Sequence, residues 1–553
     1  MPLPPALRLA ADLVVPTLLS LAAAATPEAA GTRPAEARPA DTRAARARQQ
    51  GPTLVVLVVV DQMRADYLTR FAPQLTGGIG RLAREGAVLT RAVHDHAITE
   101  TAPGHATLLA GRHPRSTGII GNILGVDDPA SPLVGADSGA GEPASPRRFR
   151  GTTLADWMVA RDGRTQVLAV SRKDRGAILP VGRARARGGD RPTAQAYWYA
   201  TNGRFTTSRW YGDRLPAWVE SFNARALPQG LAGKAWTPLL PDSAYPEPRT
   251  VPAPNGRSAP FPHPLPADPA AAADYVRATP YMDDLTVDLA LAGVRALKLG
   301  ESARADLLVV SLSTVDAAGH QYGPDSRELH DAVLRADRAV GRLLDTLLAG
   351  RDPSRVVVAL TSDHGVTRMP ETAGGGARRV DPEAALAPVR RLLESRGVSP
   401  WAALLDNGAL YLDRRALEAR RVKEADVVAA AESALRAVPG VQRVDRVEAL
   451  ARADTARDAV ARRWLHSLPP DYPIPLVATL DSGSVWSARV AAEHGTPTDD
   501  DARVPLVLWG APFRPGRHDG PARTVDLAPT LARVLGVRPA EPLDGRVLGE
   551  VLR

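Results

Sequence analysis

The stretch Thr53-Leu-Val-Val-Leu-Val-Val-Val60 decides the fold, and Asp61 follows it directly. From Leu54 onward it is apolar without interruption and rich in β-branched residues. A run with no polar alternation is typical of a strand that is buried on both faces of a parallel sheet. We therefore predict a central strand that ends at a carboxylate.

The same pattern recurs in four other segments: Ala305–Val315 before Asp316, Arg355–Ser362 before Asp363, Val504–Gly510, and Gln166–Ser171. Helical patterns lie between or after these segments, at 78–85, 153–161, 282–299, 326–348 and 525–535. This alternation predicts an α/β fold with a doubly wound, mostly parallel sheet flanked by helices. Ligands of such sheets bind beyond the carboxyl ends of the strands, so three aspartates are expected at the binding edge.

The first fifty residues are not expected to belong to the fold. Residues 1–30 combine one early positive charge, an apolar stretch and small residues near its end, which is typical of a signal peptide; an uncleaved anchor is the alternative. Residues 31–51 are rich in Ala, Pro, Arg and Thr and are predicted as a disordered linker. A signal peptide implies a periplasmic or secreted protein, and no later stretch is long and apolar enough to span a membrane.

The chain has 553 residues, well beyond the ~250–300 at which a single hydrophobic core stops growing. We predict a catalytic core from 52–372 and 482–553. Within it, 192–280 is rich in Pro, Trp and Tyr, which fits either a rim or cap over the site or a packed surface excursion. Residues 373–481 are predicted as a small α+β insertion, with helices at Glu383–Arg396 and Ala425–Val438 and a strand at Gly408–Leu412.

Composition excludes several classes of site. The chain contains no cysteine, so disulfides, thiolate nucleophiles and Cys-ligated metal sites are impossible. Its formal net charge is +8, but it has no RRM, zinc-finger or helix-turn-helix pattern, so we expect no specific nucleic-acid binding. Any metal site must be built from histidines and carboxylates.

Histidines accompany the aspartates at the predicted edge. Asp316 and His320 are four residues apart, Asp363 and His364 are adjacent, and His494 lies in a Gly/Pro loop. A single aspartate after a strand is usually a turn or cap residue. The full set of six side chains instead suits two metal ions with mixed oxygen and nitrogen ligands, which favours Zn²⁺ over Mg²⁺ or Ca²⁺. The six residues are Asp61, Asp316, His320, Asp363, His364 and His494.

A candidate nucleophile lies in Thr99-Glu-Thr-Ala-Pro-Gly-His-Ala-Thr-Leu-Leu-Ala-Gly111. Thr101 has the pattern of a helix N-cap, with Pro103 in the first turn and Gly111 at the end. The N-terminus of a helix offers unpaired N–H groups to an anion, so the hydroxyl of a Thr there would point at a bound phosphate. An ordinary N-cap without a catalytic role is the alternative.

Seven motifs together resemble one known superfamily: Val60-Asp-Gln-Met-Arg64, Thr101-Ala-Pro-Gly-His105, Gly118-Ile-Ile-Gly-Asn122, Lys173-Asp-Arg175, Asp316-x-x-x-His320, Asp363-His364 and His494-Gly495. In this order they look like the alkaline phosphatase superfamily. Within it they are most similar to the bacterial alkaline phosphatases of the PafA type, which use Thr as nucleophile and are related to nucleotide pyrophosphatase/phosphodiesterases. The resemblance runs from about Pro52 to Arg553.

This resemblance implies a site with two Zn²⁺ ions per chain. One ion would be held by Asp316, His320 and His494. The other would be held by Asp61, Asp363, His364 and the Thr101 oxygen. The resemblance also implies that Asn122, Lys173 and Arg175 contact the phosphoryl oxygens, and that the reaction passes through a phosphothreonine on Thr101.

The implied activity is that of an alkaline phosphatase on small phosphate monoesters. Two cations beside two metal ions favour a dianionic monoester, and diesterase relatives generally lack this cationic pair. A phosphodiesterase or nucleotide pyrophosphatase on the same fold is the alternative, and a metal-binding protein without activity is a third reading. Thr99 competes with Thr101 as nucleophile, and the carboxylate of Glu100 would repel substrate if it faced inward. The sequence leaves the oligomeric state open.

Overall fold

The computed structural model describes residues 51–135, 140–184, 194–251 and 260–553. The predicted signal peptide, and the predicted linker apart from Gly51, therefore lie outside the described residues. Among the residues that are described, no helix is both long and apolar enough to cross a membrane.

The strands, in chain order, are β1 Leu54–Val60, β2 Ala87–Val93, β3 Leu133–Val134, β4 Val167–Ser171, β5 Ala194–Tyr199, β6 Phe205–Ser208, β7 Ala235–Trp236, β8 His263–Pro264, β9 Asp306–Leu312, β10 Val356–Thr361, β11 Ala403–Asp406, β12 Ala409–Leu412, β13 Val441–Arg446, β14 Leu476–Leu480, β15 Leu506–Trp509 and β16 Gly516–Arg523. Ten of them form the main sheet, in the order β16-β2-β15-β10-β1-β9-β4-β5-β6-β3. The five central strands, from β10 to β5, are parallel to one another. On either side of them, β15 and β6 are antiparallel to their neighbours, so the predicted doubly wound, mostly parallel α/β fold is confirmed.

Strand β1 shows why its sequence is apolar without alternation. Every residue of Leu54–Val60 is buried. Successive side chains point to opposite faces of a strand, and in β1 they enter two different hydrophobic clusters. Leu54, Val56, Val58 and Val60 belong to one cluster. The intervening residues of β1 belong to the other, so both faces of the sheet are covered.

The α-helices, in chain order, are Tyr67–Arg70, Gly78–Glu85, Thr101–Ala110, Pro114–Thr117, Leu154–Arg161, Asp174–Val181, Ala217–Asn223, Pro269–Tyr275, Tyr281–Leu297, Thr314–Tyr322, Arg327–Leu348, Pro370–Ala373, Pro382–Ser395, Arg414–Ala419, Glu424–Arg436, Val447–Leu450, Ala459–Ser467, Asp499–Ala502 and Leu527–Leu535. The predicted helices of the core agree with these bounds to within two residues at each end. The helices pack on both faces of the sheet, as the alternation of strands and helices requires.

Two segments of the core differ from the prediction. The strand predicted for Ala305–Val315 ends at Leu312, and the helix Thr314–Tyr322 begins almost at once. Asp316 therefore lies in the first turn of that helix rather than at the end of a strand. Residues 194–208 lie in the segment predicted as a rim, a cap or a packed surface excursion; they contain β5 and β6 of the main sheet, so Tyr197, Trp198 and Tyr199 are buried core residues.

Residues 380–486 contain a second, antiparallel sheet with the order β11-β12-β14-β13. The helices Pro382–Ser395 and Glu424–Arg436 pack on it and share a hydrophobic cluster with its strands. A further cluster joins Tyr411 and Trp464 of this region to Ala97, Ile98 and Ile120 of the core. The α+β character predicted for 373–481 agrees with these elements, and the cluster attaches them next to the segment that contains Thr101.

Candidate active site

The main sheet brings the three predicted aspartates together at one edge. β10, β1 and β9 are adjacent, and each is followed by one of these residues, Asp363, Asp61 and Asp316. All three carboxylates are buried, the most exposed being Asp316 at 4%. Burial raises the pKa of Asp61 well above its usual range, and the carboxylates of Asp316 and Asp363 raise it further. Such a group requires nearby positive charge.

Asp316, His320 and His494 form the first candidate metal group. The helix Thr314–Tyr322 places Asp316 and His320 one turn apart on the same face. Asp316 Oδ1 lies 3.2 Å from His320 Nε2 and 3.8 Å from His494 Nε2. The two Nε2 atoms are 3.2 Å apart. The three ligand atoms thus surround one point.

The hydrogen bonds of the two histidines show that a positive charge belongs at this point. His320 Nδ1 lies 3.0 Å from the carbonyl of Ala492, and His494 Nδ1 lies 2.8 Å from the carbonyl of Thr99. Each Nδ1 therefore carries a proton, and in the neutral rings the two Nε2 lone pairs face each other. Although burial opposes it, Glu493 and Asp316 raise the pKa of His320 to about 9. Either a proton or a metal ion meets this need, and the mixed nitrogen and oxygen donors fit Zn²⁺.

The second candidate group contains Asp61, Asp316 and His364, whose ligand atoms lie within 4.8 Å of one another. His364 Nε2 is 3.5 Å from Asp61 Oδ1 and 3.6 Å from Asp363 Oδ2. This nitrogen is buried and has no hydrogen-bond partner in the part of the chain that the structure describes, whereas His364 Nδ1 lies 2.9 Å from the carbonyl of Gly365. The residues predicted as ligands of the second ion therefore approach one another, and Asp316 lies between the two groups.

Thr101 is the first residue of the helix Thr101–Ala110, and Glu100 occupies the cap position predicted for Thr101. The helix ends as predicted at Gly111, which adopts the left-handed conformation. The Thr101 side chain is almost fully buried, and its Oγ1 accepts a hydrogen bond from Lys173 Nζ at 3.0 Å. The same ammonium lies 2.7 Å from Asp61 Oδ2 and 2.8 Å from Asp316 Oδ2. The Thr101 hydroxyl thus lies beside both candidate metal groups.

Thr99 occupies a different environment from Thr101. Its hydroxyl donates to the carbonyl of Thr496 at 3.0 Å and accepts from the backbone N–H of Gly495 at 3.2 Å. Its own carbonyl is the partner of His494 Nδ1. The side chain of Thr99 is therefore engaged in holding the loop of His494, and it makes no contact with Lys173.

Glu100 faces inward and binds Asn122, which is a contact that the sequence did not predict. Its Oε2 accepts from the backbone N–H of Asn122 at 2.7 Å, and its Oε1 accepts from Asn122 Nδ2 at 3.1 Å. Asn122 Oδ1 in turn accepts from the N–H of Ala102 at 3.0 Å. The Asn122 amide is thereby fixed in one orientation, with one of its two Nδ2 protons still available. Burial raises the pKa of Glu100 even though the Asn122 N–H lowers it.

Arg175 lies at the same edge of the sheet but makes no direct contact with Thr101. It lies in the first turn of the helix Asp174–Val181, and its Nη1 is 3.4 Å from Asp174 Oδ1. Burial lowers its pKa, but Asp174, Asp61, Asp316 and Glu100 outweigh burial and raise it. The positive charge of Arg175 is thus coupled to the carboxylates of the site.

Two further polar residues lie beside the candidate ligands and were missed in the sequence. Gln62 donates its backbone N–H to Asp363 Oδ1 and its side-chain Nε2 to Asp316 Oδ1, both at 3.2 Å. His105 Nδ1 lies 2.9 Å from the Thr101 carbonyl and 3.2 Å from Asp363 Oδ2, and its Nε2 lies 2.9 Å from Ser311 Oγ. Both residues occur within quoted motifs, but only the folded chain shows that Gln62 binds two of the carboxylates and that His105 lies between Thr101 and Asp363.

Two close approaches require glycine at fixed positions in the motifs. A Cβ at Gly319, within the Asp316–His320 turn, would lie 1.7 Å from Gln62 Oε1. A Cβ at Gly104 would lie 2.0 Å from the carbonyl oxygen of Asp363. The first glycine lets Gln62 reach Asp316, and the second brings the helix that begins at Thr101 against the end of β10.

Comparison with known proteins gives consistent matches over most of the chain. A family model described as "Type I phosphodiesterase / nucleotide pyrophosphatase" matches residues 55–485. Alkaline phosphatase PhoV of Synechococcus elongatus is 29% identical over 91% of this chain and 93% of its own length. Alkaline phosphatase PafA of Elizabethkingia meningoseptica is 28% identical over 91% and 94%. The crystal structure of wild-type alkaline phosphatase PafA superposes with a TM-score of 0.81 at 27% identity and covers 91% of this chain and 99% of the other.

Proposed function

Because the chain belongs to the type I phosphodiesterase / nucleotide pyrophosphatase family, and is a phosphate-ester hydrolase of the alkaline phosphatase superfamily, we propose that it hydrolyses small phosphate monoesters through a phosphothreonine on Thr101. The observation that carries this proposal is the position of the Thr101 hydroxyl, 3.0 Å from Lys173 Nζ and beside the buried carboxylates. The products are an alcohol and inorganic phosphate.

We propose that two Zn²⁺ ions bind at the edge of the sheet. Asp316, His320 and His494 would hold one ion, and Asp61, Asp363, His364 and Thr101 would hold the other. Two observations support this assignment: the facing Nε2 atoms of His320 and His494, and the Nε2 of His364, which has no hydrogen-bond partner among the described residues. Bound zinc acts as a Lewis acid and lowers the pKa of an oxygen that it binds.

The protein's own groups orient the nucleophile. Thr101 begins a helix, but the N–H of Ala102 donates to Asn122 Oδ1, Pro103 has no N–H, and the N–H of Gly104 donates to the Glu100 carbonyl. Within the described residues, the backbone N–H of Thr101 is the group of this turn that is left to face an anion next to the hydroxyl. In the proposed reaction the Thr101 hydroxyl gives up its proton to solvent and Oγ bonds to phosphorus as the bond to the leaving oxygen breaks; that oxygen takes up a proton and departs as the alcohol. Water then attacks phosphorus and gives up a proton, the bond between phosphorus and the Thr101 oxygen breaks, that oxygen regains a proton, and phosphate is released. Thr99 is a poorer candidate because its hydroxyl is already bonded to the 495–496 backbone.

Asn122, Lys173 and Arg175 are proposed to bind the phosphoryl oxygens. The free Nδ2 proton of Asn122 can be donated to one oxygen, since Glu100 fixes the amide. Lys173 has a long, flexible side chain, so its ammonium can turn from the carboxylates to a phosphoryl oxygen beside Thr101. Charged hydrogen bonds of this kind stabilise the charge that the transition state carries.

A phosphodiesterase activity is the second candidate, and the description of the family favours it. A diester carries one negative charge and a second bulky group, whereas a monoester carries nearly two charges. Lys173 lies in the site, and Arg175 is electrostatically coupled to it. We therefore propose that the monoester is the preferred substrate.

The experiment compares initial rates on an aryl phosphate monoester and on its methyl diester, using the zinc-loaded protein. The parent should favour the monoester in kcat/KM. Lys173→Ala and Arg175→Ala should each lower monoester kcat/KM on the order of tenfold to a hundredfold, since a charged hydrogen bond contributes about 1.5–3 kcal/mol. Both variants should affect the diester far less.

Equal losses on the two substrates would contradict the role proposed for the two cations. A parent that prefers the diester would place the diesterase activity first. Arg164→Ala is a suitable control, because the side chain of Arg164 is 81% exposed and pairs with Asp162 at the far end of the sheet.

We also propose that the protein acts in the periplasm or outside the cell. This rests on the signal peptide predicted for residues 1–30. N-terminal sequencing of the protein isolated from outside the cytoplasm would test this proposal. If the exported protein still begins at Met1, the signal peptide is not cleaved.

A further inference from the structure

A second cluster of imidazoles lies apart from the candidate active site. It contains Asp95 and His96, which follow β2, His113, which precedes the helix Pro114–Thr117, and His466 of the helix Ala459–Ser467. The last helix belongs to the region that carries the antiparallel sheet. Three separate parts of the chain therefore meet at this cluster.

The geometry of the cluster is that of a metal-binding group. Asp95, His113 and His466 each offer a ligand atom, and these atoms lie within 4.8 Å of one another. The rings of His113 and His466 are stacked, with centroids 4.0 Å apart and planes inclined by 10°. His466 Nδ1 donates to the Asp95 carbonyl at 2.7 Å, so the Nε2 atom of the neutral ring keeps its lone pair.

Two histidines of the cluster are buried without any hydrogen-bond partner on the ring. His96 and His113 are 0% and 3% exposed, and neither nitrogen of either ring has a partner among the described residues. A buried polar group without a partner is costly, and native proteins rarely leave one. A ligand outside the polypeptide would satisfy these nitrogens.

The carboxylate of Asp95 is shared between arginine side chains and the cluster. Arg462 Nε lies 3.1 Å from both carboxylate oxygens of Asp95, and Arg463 lies 3.9 Å from Asp95 Oδ1. Arg463 is compensated by Asp499, at 2.7 Å. A carboxylate has about four lone-pair sites, so Asp95 can accept from Arg462 and still ligate a metal.

We propose that Asp95, His113 and His466 bind a third divalent metal ion of the zinc class. Two imidazoles and one carboxylate suit a borderline ion such as Zn²⁺ better than Mg²⁺ or Ca²⁺. The ion has a structural role: it ties the helix Ala459–Ser467 to the segment after β2, which leads into Thr101. This site is independent of the proposed chemistry at Thr101.

The test counts zinc in the full-length chain after loading with Zn²⁺ and removal of free metal. The parent should hold about three ions per chain, two at the proposed active site and one at the cluster. His466→Gln and His113→Gln should each hold about one ion fewer. His518→Gln, which alters a histidine outside both sites, should match the parent. His466 is partly exposed, with 27% of its side chain accessible, so its variant should fold even if His113→Gln does not.

A second readout is the melting temperature with and without Zn²⁺, because an ion that binds only the folded chain stabilises it. Zinc should raise the melting temperature of His466→Gln less than that of the parent and of His518→Gln. An equal zinc count in the parent and in His466→Gln would overturn the proposal and mean that water satisfies the imidazoles. The comparison stays valid if the active site binds no zinc, because it depends only on the difference between these two proteins.

Discussion

The contacts of Glu100 in the structure differ from the role that its position in the sequence suggested. In the sequence, a carboxylate beside the predicted nucleophile is a source of repulsion for a phosphate. In the structure it turns toward Asn122 and accepts two of its N–H groups, at 2.7 and 3.1 Å. We infer that Glu100 positions Asn122, which the sequence could not reveal because the two residues meet only in the folded chain.

The corresponding prediction is a coupled loss of activity. Glu100→Gln removes the charge that holds the Asn122 amide, so monoester kcat/KM should fall about tenfold, as expected for the loss of one charged hydrogen bond. Asn122→Ala should cost at least as much, and the double variant should be little worse than Asn122→Ala alone, because residues in contact are not additive. Steady-state kinetics on the monoester measure these losses. Glu85→Gln is the control, because Glu85 is an exposed residue. Fully additive losses would show that Glu100 acts independently of Asn122.

At the scale of the elements, the ends of strands and helices decide where the candidate metal-binding residues lie. The apolar run of β1 predicted a strand buried on both faces. The reason is that a strand without polar alternation has apolar side chains on both faces, and both must be covered. The end of β9 was less predictable, because Ser313 and Thr314 are residue types that suit the end of a strand and the start of a helix equally well. The i, i+4 spacing of Asp316 and His320 is the signal that could have placed them on a helix.

The helix that begins at Thr101 depends on Gly104 for its distance from β10. A Cβ at this position would lie 2.0 Å from the Asp363 carbonyl, so Gly104→Ala must displace either the helix or the strand end. We expect a loss of stability of about 1–3 kcal/mol, as in overpacked cores, together with lower zinc content and activity. Urea unfolding, metal analysis and rates measure these effects. Gly163→Ala, where a Cβ meets nothing within 4 Å, is the matched control; equal behaviour of the two variants would contradict the close approach.

The helix Tyr281–Leu297 carries a buried acid that should make stability depend on pH. Asp283 Oδ1 accepts from the N–H groups of Ser313 and Thr314, at 2.9 and 3.2 Å, just after β9. Burial raises its pKa to about 7, although these hydrogen bonds lower it. The unfolded chain releases this proton near its ordinary pKa of ~3.9, so the folded state binds the proton more tightly. Its contribution to stability is therefore lost as pH rises from about 4 through about 7.

Asp283→Asn keeps an acceptor for both N–H groups and removes the titration. Relative to the parent, the variant should gain stability between pH 5 and pH 8, by an amount on the order of a few kcal/mol. Melting temperatures of both proteins at the two pH values, with zinc present throughout, measure this change. A difference between variant and parent that stays constant from pH 5 to pH 8 would contradict a raised pKa at Asp283.

At the scale of the whole molecule, the sequence predicted the sheet and the meeting of the three aspartates at one edge better than the contacts between distant segments. The aspartates were predictable because they follow apolar strands, and the fold class is confirmed. The contacts of Gln62, Glu100 and His105 were not, because each joins segments whose relative position depends on the complete fold. The membership of β5 and β6 in the sheet was missed because their aromatic residues also fit an exposed rim.

The central claim is that Thr101 carries the phosphoryl group during turnover. Rapid acid quench of the zinc-loaded protein with a phosphate monoester labelled at phosphorus measures this most directly, with peptide mapping to locate the label. We predict that the label is found on Thr101 in the parent. Thr101→Ala should fold and bind zinc, but it should carry no label and lose most of the turnover. Label on Thr99, or full turnover by Thr101→Ala, would contradict the claim.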